Sequence, residues 1–309
     1  MDAGLVGGSP ENGSSMESRP FLRQPGRDRG RKIGLGWPRR LDNRRNGVTD
    51  KLLFDVSDRI ATITFNNPDR LNAFTHEMLT GYLDRLEECR TREDIWAVIV
   101  TAAGRGFCAG GDTRQMGSDK PPTPLEIKSG LWDLIQKLSL KIREIDKPVV
   151  AAVNGVAVGA GMDMSLHADL RFAAESARFA ETYVRVGLVP GNGGAWFLPR
   201  IVGVPKALEL LWSADFLSAQ EALEIGLVNK VFPDDELQAG TRAYVEKLVN
   251  SSPISIRLIK RAMYAGLDMD LRSALDMVSS HMVLARSSED HKEAIAAWRE
   301  KRAGNYNNR

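Results

Sequence analysis

The stretch "VNGVAVGAGMDM" (residues 153–164) sets Gly155, Gly159, Ala160 and Gly161 ahead of Asp163, an acid in otherwise apolar sequence. Read as a strand that runs into a helix near Ala160, it leaves uncluttered amides at a helix start, where the dipole adds partial positive charge. A polarised carbonyl oxygen is stabilised at such a place. Asp163 comes three residues later, one helical turn on, so its carboxylate can share a face with the Ala160 amide and accept a proton there. The competing reading of Asp163 is a helix-start acid that serves only the dipole. A second glycine-rich turn, "GRGFCAGGD" (104–112), also follows an apolar strand. An amide from Gly111 would complete an oxyanion hole with Ala160, whereas the plainer role of these glycines is close backbone packing. Asp112 closes that turn, as an acceptor for its amides or as a ligand contact.

Several chemistries are poorly supported. "GRGFCA" breaks G-x-G-x-x-G at Ala109, "GVAVGAG" fails the same test, and no G-K-[ST] exists for a nucleotide-triphosphate loop. His76, His167, His281 and His291 have no ligand spacing, so no metal is implied. No serine sits in a nucleophile elbow. Cys89 and Cys108 give neither a disulfide framework nor a metal motif, which fits a reducing cytosol.

The elements that must position these residues alternate between strands and helices, an α/β pattern. "LLFDV" (52–56) and "IATITF" (60–65) read as strands joined at "SDR", and a helix is predicted from about Thr75 to Arg90 on the spacing of Met78, Leu79, Tyr82, Leu83 and Leu86. "AVIVTA" (97–102) is a strand, residues 125–145 a second long helix, and "PVVAAV" (148–153) a strand buried on both faces. "MDMSLHA" reads as a short buried helix and "LRFAAE" as a strand. The last hundred residues are mostly helical by pattern, with "FLSAQEALEIGLV" a helix ending at Gly226 and Ser252-Pro253 capping another. No sequence repeat of 20–50 residues recurs, although a strand, strand, helix rhythm does.

The chain of 309 residues is 43% hydrophobic, enough to bury a sizeable core, and 42 basic against 40 acidic residues leave a net charge of +2. No global field argues for nucleic acid or membrane as the main partner. No apolar run approaches the roughly 18 residues of a membrane span. The basic excess is local, with nine Arg and one Lys in residues 19–45. Residues 1–47, rich in Arg, Gly and Pro, lack apolar periodicity and are expected to be disordered, with the folded region starting near Val48. The extension is read as without a role, or as a targeting or nucleic-acid arm. Asp2, Glu11 and Glu17 weaken a mitochondrial transit reading, and a cytoplasmic location is expected.

Three segments carry a resemblance: "FCAGGD" (107–112), "NGVAVGAGMDMSLHADLRFA" (154–173) and "FAETYVRVGLVPGNGGAWFLPR" (179–200). In this order they resemble the crotonase superfamily of enoyl-CoA hydratases and isomerases. The likeness runs from about Leu52 to Arg302 and includes "NNPDRLNAF", similar to the N-P-x-x-x-N-A loop of that family. It implies a crotonase-like ββα superhelix, with a core over 48–250 and a helical C-terminal region over 251–309 that completes the fold and packs between subunits of a homotrimer or a hexameric dimer of trimers.

By that resemblance the amides of Gly111 and Ala160 stabilise an acyl-CoA enolate. The adenine end of coenzyme A meets the loop Arg70 to Ala73, including Asn72, and backbone near Ala109 and Gly110. Coenzyme A arrives as part of the substrate and no separate cofactor is implied. Family hydratases carry two glutamates, and here Asp163 and Tyr183 stand at those positions. A phenol of ordinary pKa, about 10, is no base near neutral pH, so Tyr183 is expected to donate a hydrogen bond or shape the acyl site. Glu181 is a reserve candidate, facing the side of Tyr183 if the segment is extended. Asn192 matches an Asp of dienoyl-CoA isomerases, or else serves the turn, since Asn beside Gly favours positive φ.

The expected activity is hydration of a 2-trans-enoyl-CoA. Double-bond isomerisation with one carboxylate follows closely, and thioester hydrolysis is a third reading. In another class, the Arg-rich extension would make an RNA-binding or non-catalytic crotonase-like protein.

Overall fold

The computed structural model describes residues 50–111 and 122–309, all within one compact unit. The extension over 1–47, the start near Val48 and the turn residue Asp112 therefore lie outside the described residues.

Among the described residues, ten strands form two sheets. Six build the larger one, in the order β1 (Leu52–Ser57), β2 (Ile60–Phe65), β3 (Ala97–Ala102), β5 (Val149–Val153), β7 (Leu170–Ala174) and β10 (Lys230–Phe232). Only β1 and β2 pair antiparallel. Their hairpin turns on Asp58 and Arg59, both with positive φ (51° and 68°). Two left-handed residues suit the right-handed twist of the flanking strands. Arg59 also lies over the Trp96 ring at 3.9 Å, and Arg242 holds the Asp58 carboxylate at 2.7 Å.

The smaller sheet runs β4 (Gly106–Cys108), β6 (Val156–Val158), β8 (Arg178–Ala180) and β9 (Leu217–Ser218), the first three parallel. Each parallel strand here follows a central strand of the larger sheet: β3 leads to β4, β5 to β6 and β7 to β8. A helical segment follows each. The strand, strand, helix rhythm of the sequence is thus a ββα superhelix, and it sets the chain segments after Cys108, Val158 and Ala180 side by side.

The central strands are buried on both faces, as their unbroken apolar runs require. Val98, Val100, Val149, Ala151 and Val153 face the larger core, with Leu79, Tyr82 and Leu86 of α1 (His76–Thr91). Ile99, Val150, Ala152 and Phe172 face a second core. The helix there is α8 (Leu237–Val249), through Leu237, Val245 and Val249. Thr75 caps α1 by accepting the Met78 amide at 3.3 Å.

Two helices differ from expectation. Residues 125–145 form α2 (Pro124–Gly130), a π-helical turn (Leu131–Ile135) and α3 (Gln136–Glu144) rather than one continuous helix. The π turn adds a residue to one winding and re-aims the apolar stripe, so Leu138 and Ile142 are buried while Leu125 and Ile127 are exposed. The helix expected up to Gly226 is α7 (Ala219–Glu224), started by a reciprocal capping box between Ser218 and Glu221. Leu217 and Ser218 are taken by the strand β9, and Gly226 closes the helix at φ +74°.

Three more helices flank the smaller sheet in the chain: α4 (Ala160–Leu166) follows β6, and α5 (Gly194–Val202) and α6 (Val204–Ser213) come after β8 and a 3-10 turn. The C-terminal helices are α9 (Pro253–Gly266), α10 (Leu271–Ser287) and α11 (Glu289–Glu300). Asp169 moors α9 by accepting from Lys260 Nζ (2.6 Å) and the Tyr264 hydroxyl (2.7 Å). Among the described residues no helix is long and apolar enough to cross a membrane.

Candidate active site

The two glycine-rich turns meet because small residues let backbone reach backbone. A Cβ on Gly161 would fall 2.0 Å from the Cys108 carbonyl oxygen, and one on Gly155 2.2 Å from that of Arg105. Only glycine allows α4 to seat on the β4 strand and its turn. A Cβ on Gly110 (φ +86°) would come 3.6 Å from the Ala160 amide nitrogen, so the residue before Gly111 abuts the start of α4.

Ala160 is the first residue of α4, so its N–H has no partner within the helix. The neighbouring Gly159 amide is spent on the Ala180 carbonyl (2.8 Å). Gly111 forms an isolated parallel bridge with Phe74, in which the Phe74 amide donates to the Gly110 carbonyl (2.9 Å). In such a bridge the ladder runs through the neighbours of Gly111, and its own N–H is left outside the pair. Two amides not consumed by regular structure therefore lie on adjoining turns.

The loop Arg70 to Ala73 is fastened to the same place. Leu71 and Asn72 both have positive φ (49° and 56°). The Asn72 side chain is fully buried: its Oδ1 accepts the Asn67 amide (2.7 Å), and its Nδ2 donates to the carbonyls of Ala103 (2.8 Å) and Gly106 (2.7 Å). That side chain is committed to the scaffold. The Ala109 amide donates to the Leu71 carbonyl (2.9 Å), while Arg70 projects at the exposed end of the loop.

Behind Ala160 lies a cluster of acids. Asp163 is wholly buried, as is Glu181. Asp163 Oδ2 accepts the Tyr183 hydroxyl at 2.5 Å and the Asn192 amide at 3.3 Å. Tyr183 is half-buried and forms the side of the cluster nearest the surface. Glu181 reaches Asp163 as well, although the segment is not extended: Thr182–Val186 is a 3-10 turn with Glu181 at its N-cap. The two acids close on Gly194, where a Cβ would meet Asp163 Oδ1 at 2.0 Å and Glu181 Oε1 at 3.2 Å.

Burial sets the proton affinities. Asp163 is pushed up to about 6, chiefly by loss of water, with the Tyr183 and Glu181 hydrogen bonds opposing. Glu181 rises well above the ordinary carboxylate range, first by burial and then by the Asp163 charge. Burial, then Asp163, raises Tyr183 so far that it stays a phenol. The site thus combines a base of near-neutral pKa with a hydroxyl donor beside a helix start.

Asn192 is fully buried, and the left-handed position in its turn is Gly193 (φ +95°) rather than Asn192 itself. Positive φ is therefore not the reason for the asparagine. Its carbonyl accepts from His167 Nε2 (2.8 Å) and from the Ser139 hydroxyl (3.0 Å). Burial lowers His167 to about 4, which keeps it neutral with the proton on Nε2. Histidine and serine hold the turn whose amide points at Asp163. Sequence spacing gave no sign of this support, because α3, α4 and the 190s turn contribute one residue each.

Among the described residues no group of His, Cys, Asp or Glu is arranged to hold a metal.

The family described as "Enoyl-CoA hydratase/isomerase" matches residues 55–309. A short-chain-enoyl-CoA hydratase of Clostridium acetobutylicum is 35% identical over 255 residues, 82% of this chain and 96% of that protein. The 1,2-epoxyphenylacetyl-CoA isomerase of Escherichia coli is 32% identical over 82% of this chain and 97% of its own length. Among solved structures, an enoyl-CoA hydratase from Bacillus anthracis superposes with a TM-score of 0.79 at 31% identity, over 84% of this chain and all of that one.

Proposed function

Because the chain belongs to the enoyl-CoA hydratase/isomerase family, we propose that it hydrates a 2-trans-enoyl-CoA to the 3-hydroxyacyl-CoA, holding the thioester oxygen between the amides of Gly111 and Ala160. The observation that carries this reading is the contact of Asp163 with the Tyr183 hydroxyl, one helical turn from Ala160. Charge that develops on the thioester oxygen is met by two fixed amides and the start of α4. Asp163 is ionised at neutral pH and takes a proton from water by way of the Tyr183 hydroxyl: the phenol gives its hydrogen to Asp163 Oδ2 as it receives one from water. The water oxygen bonds to the β-carbon, and the same path returns the proton to the α-carbon of the enolate. One water is added and the protein ends unchanged.

The same contact supports a second reading. One carboxylate that removes and returns a proton through a single hydroxyl suits double-bond isomerisation, where no water is added.

Arg70 to Ala73 and the backbone of Ala109 and Gly110 take the coenzyme end of the substrate, with no separate cofactor. The protein works in the cytoplasm as a homotrimer or a dimer of trimers.

Crotonyl-CoA followed by ultraviolet absorbance tests the reading. Hydration predicts loss of the enoyl-thioester band. No loss with crotonyl-CoA, but a gain of that band from a 3-enoyl-CoA, replaces hydration by isomerisation, and release of free thiol replaces both by hydrolysis.

A further inference from the structure

Glu181 lies outside the pair of positions at which the family resemblance seeks carboxylates, yet it is buried against Asp163. We propose that Glu181 is a positioning residue: it remains a carboxylic acid, donates its proton to Asp163 Oδ1, and so fixes Asp163 with Oδ2 turned to Tyr183.

Geometry assigns the two oxygens of Asp163 to different partners. Oδ2 is occupied by the Tyr183 hydroxyl and the Asn192 amide. Oδ1 and both Glu181 oxygens are buried with no N–H or O–H donor from other groups directed at them among the described residues. Oδ1 and Glu181 Oε1 converge on Gly194, where an added Cβ would lie 2.0 Å from the first and 3.2 Å from the second, so the two carboxyl groups share one buried space. Two carboxyl groups buried side by side do not both stay ionised, so one of them keeps a proton. Among the described residues the neighbours of the pair are uncharged: the 3-10 turn offers the Tyr183 phenol while its Arg185 donates to the Ala214 carbonyl, His167 and Ser139 are neutral, and the Asn192 turn offers an amide. The proton belongs on Glu181, because Asp163 alone has the two outside donors that stabilise a negative charge.

The protonation state is independent of which reaction the enzyme performs, while the positioning role rests on Asp163 being the base proposed above. Two measurements separate them. Wild-type protein labelled with 13C in its glutamate side-chain carboxyls is titrated by NMR without substrate. One glutamate is expected to stay at the protonated shift at neutral pH and to move in E181Q protein only by vanishing. Ionisation of every glutamate at neutral pH overturns the proposal, whether or not E181Q folds. The second readout is the pH dependence of turnover. E181Q, which still donates a hydrogen bond, is expected to keep the acidic limb near the value of about 6 set by Asp163. E181L, which cannot donate, is expected to shift that limb upward. Equal limbs in the two variants show that Glu181 merely fills space and contradict the positioning role.

Discussion

Asp163 is a carboxylate whose ionised form the fold holds at a cost. Its pKa is about 6 in the folded protein against an ordinary 3.8, chiefly through burial. Between these values the native state binds the proton more tightly than the unfolded chain, so this group contributes less stability as pH rises from about 4 to about 6. D163N removes that loss. Urea melts of the two proteins are expected to converge at low pH and to show D163N the more stable above neutrality. A variant less stable at every pH would contradict the account. Turnover should fall on the order of 10²- to 10⁴-fold in D163N, as expected when a positioned base is removed. Asp163 was legible in sequence through its place after Ala160, and Tyr183 through its place in "FAETY". The roles of His167 and Ser139 were not, since both meet Asn192 across distances of 25 and 53 residues. Glu181 was visible as an acid on the right segment, but for a reason the 3-10 turn removes.

At the scale of elements, the small sheet positions the chemistry. Its strands β4, β6 and β8 release Gly111, Ala160 and the Glu181–Tyr183 turn at neighbouring ends. The joints are glycines that admit no side chain. G194A would place a methyl 2.0 Å from Asp163 Oδ1, and G161A one 2.0 Å from the Cys108 carbonyl. Overpacking of this kind costs about 1–3 kcal/mol. The two variants should differ in kind, however. G194A displaces a side chain, so a moderate stability loss should accompany a large fall in kcat, whereas G161A acts on backbone and should lower the Tm before anything else. Thermal melts and steady-state kinetics on both proteins check this, and equal behaviour would argue against a carboxyl pair closing on Gly194. The strands β1, β2, β3, β5 and β7 and the helix α1 followed from apolar runs and spacing within a residue or two, whereas the two- and three-residue strands of the smaller sheet are too short to show a period. The π turn at Leu131–Ile135 did not, because an added residue in one winding leaves the helical period of the flanking sequence intact.

For the whole molecule, the order of ββα units brings together residues distant in sequence, Leu71 with Ala109 at one glycine-rich turn and Asp163 with Asn192 behind the other. Composition bounded the class, and three motifs in succession indicated the superhelix, but only the folded chain joins them. The central claim is enolate stabilisation by the Gly111 and Ala160 amides. Proline is tolerated at the first position of a helix, so A160P deletes one amide hydrogen with α4 retained. Butyryl-CoA, which can be neither hydrated nor isomerised, is incubated in deuterium oxide and analysed by mass spectrometry. Wild-type protein should place deuterium on the α-carbon, and A160P should do so about 10²–10³ times more slowly, the cost of one oxyanion donor. Exchange by folded A160P at the wild-type rate would contradict the account.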